Sequence, residues 1–143
     1  MEKAGEDGWF LQVPLFLAKV LHLKAALGER LHLHYKDKDR AALQKDEEQL
    51  KVLLDRVKEL RIVHRQQWMK TCSPFGWSRL DLRYGGLTAR LETAVHRLGQ
   101  YLDGSLSELP ELEVHRYEKD RSGQFLGKGI WKTYSEIASL SDG

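Results

Sequence analysis

Apolar residues recur along this chain at helical spacing. Beginning at Pro14, a residue suited to a first helical turn, Phe16, Val20, Leu23, Leu27 and Leu31 follow at intervals of three and four and mark one apolar face. His32 and His34 fall in the last turn of that helix, where partial positive charge suits the dipole. Tyr35 to Asp39 form the connection, with Asp39 placed to cap the next helix. This second and longer helix is expected from about Arg40 to Lys70, with Leu43, Leu50, Leu53, Val57, Leu60 and His64 close to a heptad seam. Acids (Asp46, Glu47, Glu48) crowd its early turns and bases (Arg61, Arg65, Lys70) its end, the order a helix dipole favours. Pro74 and Gly76 break the pattern. A third helix is expected from about Ser78 to Leu102, buried along Leu80, Tyr84, Leu87, Leu91, Ala94, Leu98 and Tyr101 and stopped by Asp103-Gly104.

These elements describe an all-α protein, an antiparallel bundle of three long helices over about residues 14–103. The rest, 104–143, reads as an irregular tail that lies across the bundle or adds to a sheet elsewhere. Pro110, Gly123, Gly127 and Gly129 interrupt it, and Ile130 to Tyr134 alternate as a short strand would. The 143 residues fit a single domain, large enough to fold without disulfides or a structural metal.

Charge and composition narrow the function by exclusion. A net charge of +2, with bases mixed among acids, does not point to nucleic acid. Cys72 is the only cysteine, so no internal disulfide and no four-cysteine zinc site can form. The chain has no asparagine and hence no N-glycosylation acceptor. Its opening is not the basic start of a signal peptide, and the apolar run 10–17 is short and broken by Gln12 and Pro14. The expectation is a cytoplasmic protein without a membrane span.

Candidate chemistry is sparse. His32 and His34 point in different directions on a helix, and His22 and His64 lack partners at metal-ligand spacing, so no metal or other cofactor is expected. His64, in the seam, reads as a satisfied core histidine. Cys72 has no Cys-His signature beside it and reads as an incidental thiol. Asp46-Glu47 is the only Asp-Glu dipeptide, and its place in a charged early turn suggests a solvated face. Arg83, Arg90 and Arg97, with Arg79, make an arginine stripe whose bland reading is a solvated face carrying pairs such as Glu92 with His96. The stretch from Pro74 to Gly86 is the least bland. Two adjacent glycines inside a helix, Gly85 and Gly86, cost about 1 kcal/mol each relative to alanine. Close approach of another backbone or a ligand is the usual offset, so Gly86→Ala is expected to destabilise. Phe75 and Trp77 stand where aromatic rings cover a partner or a sugar, or else cap the bundle end.

Pro74-Phe75-Gly76-Trp77, the run from Leu80 to Leu87, the run from Ala89 to Ala94, Arg97-Leu98 and Tyr101-Leu102 resemble the C-terminal helical domain of bacterial β-N-acetylhexosaminidases of glycoside hydrolase family 20. Leu60-Arg61, His64-Arg65, Trp68, the stretch from Glu108 to Glu113 and the ending from Tyr134 to Ser139 are similar as well. Cys72 and Ser73 stand where that family usually carries asparagine and lysine. The resemblance implies an accessory domain. Catalysis in the family belongs to a separate barrel with an adjacent Asp-Glu pair at a strand end, and a barrel needs about 250 residues. No catalytic residue is therefore carried over. The implied partner is the family 20 catalytic barrel, in the same or a companion chain. The residues implied to contact it or its sugar site are Phe75, Trp77, Arg79, Asp81, Arg83, Gly85 and Gly86. The competing class is a stand-alone helical interaction module, a homodimer included.

Overall fold

The computed structural model describes residues 8–113. Helix α1 (Gln12–Lys36) follows a 3₁₀ turn, Gly8–Leu11. Gln12 and Pro14, expected to break the apolar run, fall in the first turn of α1, where the missing N–H of proline has no intrahelical partner to lose. The rod Gly8–Lys36 is consequently long and apolar enough to cross a membrane by length and composition, and only 11% of its most apolar stretch is buried.

A Schellman-type stop ends α1. Asp39 N–H donates to the His34 carbonyl (3.0 Å) and Lys38 N–H to that of Tyr35 (3.1 Å), with Lys38 in the left-handed position that glycine usually takes. Asp39 then caps α2 (Arg40–Thr71) by accepting from Ala42 N–H at 3.0 Å, as its place in the sequence suggests. After a 3₁₀ turn at Pro74–Gly76 comes α3 (Trp77–Asp103), which ends on Gly104 at φ 88°.

The expected antiparallel bundle of three long helices is what forms, with α1 and α3 each packed along the central α2. The core runs through Val20 and Leu27 of α1, Leu43, Leu50, Leu53, Val57 and Leu60 of α2, and Leu98 and Tyr101 of α3. Tyr35 meets Tyr101 edge-on at 5.4 Å, joining α1 to α3 at one end.

The bundle unit extends beyond the expected boundary near residue 103 and includes everything to Leu112. Leu109, assigned by sequence to the tail, is 2% exposed, and its N–H donates to the Tyr35 hydroxyl (2.9 Å). The short helix α4 (Pro110–Glu113) sits beside it. His32 Nδ1 lies 2.9 Å from the Leu112 carbonyl, and Arg97 grips Glu111 through two hydrogen bonds of 2.9 and 3.1 Å. That pairing holds the Glu111 carboxyl below its usual range. The strand expected at Ile130 to Tyr134 lies outside the described residues.

Candidate docking surface at the head of the third helix

The turn between α2 and α3 is built around Trp68. Its indole N–H donates to the Ser73 carbonyl (2.9 Å), tying the turn back to α2. Gly76 lies against the same ring, since a Cβ there would come within 2.7 Å of Trp68 Cζ2. Only glycine lets the turn pass this close. Pro74 occupies the first position of the 3₁₀ turn, where it suits the backbone.

Passing inside Trp68, the chain enters α3 on Trp77. The expectation that Trp77 offers its ring to a partner or a sugar is corrected here. Trp77 is 4% exposed and lies in the bundle end. It stacks on Tyr84 (centroids 6.2 Å apart, planes at 27°) and meets the edge of His64 at 5.4 Å and tilted Trp68 at 6.2 Å. The physical reason is register. Once α3 begins at Trp77, that residue precedes Leu80 by three and Tyr84 by seven, on the inward stripe. His64 and Tyr84 share a hydrogen bond of 2.9 Å between Nδ1 and the hydroxyl, so the seam histidine is satisfied as expected. Burial lowers the His64 pKa and raises that of Tyr84. Trp77 Nε1 and Gln67 Oε1 are buried without a hydrogen-bond partner among the described residues.

The remaining residues divide between inward ties and an open surface. Asp81 accepts from Arg61 Nε (3.1 Å) and Nη2 (2.9 Å), binding α3 to α2. Phe75, by contrast, is 93% exposed and Leu82 73% exposed. Gly85 is exposed, and a Cβ there would have nothing within 4 Å, so nothing among the described residues uses the missing side chain. Gly86, next to it, is half-buried. Arg79, Arg83 and Arg90 are exposed and have no ion pair among the described residues. Glu92 pairs with Lys58 of α2 at 3.0 Å, where a bond to His96 within α3 was expected. The turn before α3 and the outward side of its first turns thus expose Phe75, Leu82 and Gly85, beside guanidinium groups that have no ion pair among the described residues.

At the opposite end of α2, a second correction concerns Asp46. It is 3% exposed, not solvated, with the His34 Nδ1 at 2.6 Å and Arg30 Nη2 at 3.3 Å. The position between Leu43 and Leu50 on the seam carries this aspartate, which is why it turns inward. A buried carboxylate needs such partners, and α1 supplies both. Its neighbour Glu47 is held by Lys51 at 2.7 Å. His32 and His34 thus each tie α1 to another part of the bundle. Cys72 is exposed and unpaired with any other cysteine.

A family model described as the glycoside hydrolase 20C C-terminal domain matches residues 1–130. The chain belongs to this family. No curated protein matches it. A C-terminal domain of a glycoside hydrolase implies a companion catalytic domain. This glycoside hydrolase 20C C-terminal domain puts its only Asp-Glu pair into a structural ion cluster, with Asp46 committed to holding α1 on α2.

Proposed function

We propose that this domain is the non-catalytic accessory part of a β-N-acetylhexosaminidase of family 20. It packs on the catalytic barrel through the head of α3 and supports the enzyme's assembly or one wall of the sugar site. The observation that carries the reading is the uncovered surface of Phe75, Leu82 and Gly85, flanked by Arg79 and Arg83. An exposed helical glycine with open space above it is a net loss to the isolated chain, and so are two large apolar side chains in water. A partner backbone lying over Gly85 offsets both, and carboxylates on that partner meet the guanidinium groups bidentately. On this reading Trp77 contributes by stiffening the surface from beneath, and the protein works in the cytoplasm.

The test compares turnover of a chromogenic N-acetylglucosaminide by the catalytic barrel with and without this domain. The domain alone is expected to give no turnover, and its addition to raise the barrel's activity or melting temperature. Turnover by the domain alone that Asp46→Ala or Glu47→Ala abolishes contradicts the proposal, as does a barrel indifferent to the domain.

A further inference from the structure

No further inference is drawn: the strongest candidate, the exposed apolar face of α1 along Leu11, Leu15, Leu21 and Ala25, carries nothing because nothing among the described residues shows what covers it.

Discussion

Phe75 and Trp77 are two residues apart and have opposite fates. Phe75 stands in water on the 3₁₀ turn, whereas Trp77 is enclosed by His64, Trp68 and Tyr84. Trp77→Ala should therefore melt the isolated bundle by about 3–5 kcal/mol, the scale of a buried tryptophan. Phe75→Ala should leave stability within about 0.5 kcal/mol. Chemical denaturation of both variants checks this, and equal losses would contradict the assignment of surface and core. Trp77's inward direction was legible in principle, because it keeps the three-and-four spacing with Leu80 and Tyr84. The obstacle is the turn at Pro74 and Gly76, which resets the helical phase, so the first residue after it has no upstream register. Asp46 shows the opposite difficulty. Its phase on α2 was plain, but its charge argued for water, and only the pairing with Arg30 and His34 across the α1–α2 contact makes burial tolerable. His64 gives a pH signature at this scale. Burial lowers its folded-state pKa below the ordinary 6.5, so the unfolded chain binds the proton first as pH falls. The stability it contributes is complete above about pH 6.5 and is lost as pH drops toward the folded-state value. The melting temperature should fall from pH 7 to pH 5 less steeply in His64→Gln than in wild type, and parallel curves would refute the role.

Among the elements, α2 is the most completely read from sequence, because both its sides are used. Its seam of leucines meets α1 and α3, and its charges run in dipole order. Among the described residues the other two long helices are covered on one side only, and periodicity identifies a packed stripe without saying what the remaining side meets. On α3 that remaining side holds Gly85. Since no described residue approaches it, Gly85→Ala should stabilise the isolated domain by about 0.4–1 kcal/mol. On the proposed docking, the same substitution should weaken binding to the barrel. A variant that is more stable and binds equally well would remove Gly85 from the docking surface. Where the segment 104–112 packs has a different source. Glycine and proline mark where a helix stops, but the burial of Leu109 depends on Tyr35, 74 residues earlier, and no local pattern reports that contact.

At the scale of the described residues, the domain is a three-helix bundle with aromatic ties inside it, ion pairs running between its helices and large apolar side chains exposed on its surface. Arg61–Asp81 and Lys58–Glu92 fix α3 on α2, and the Asp46 cluster fixes α1. That division suits a part that holds its own shape while presenting area to other bodies. Membership of the family was legible in the joint order of several short runs. The partner's position was not, since it depends on which side chains the fold leaves uncovered. Calorimetric titration of the isolated catalytic barrel with this domain, as wild type and as Leu82→Asp, tests the central claim most directly. Leu82 is exposed, so the substitution should leave the domain's circular dichroism and melting temperature unchanged. A saturable one-to-one complex with wild type, weakened by about a hundredfold in Leu82→Asp, is the predicted result. No binding by wild type, or equal binding by the two, would contradict the claim that this domain docks on the barrel through the head of α3.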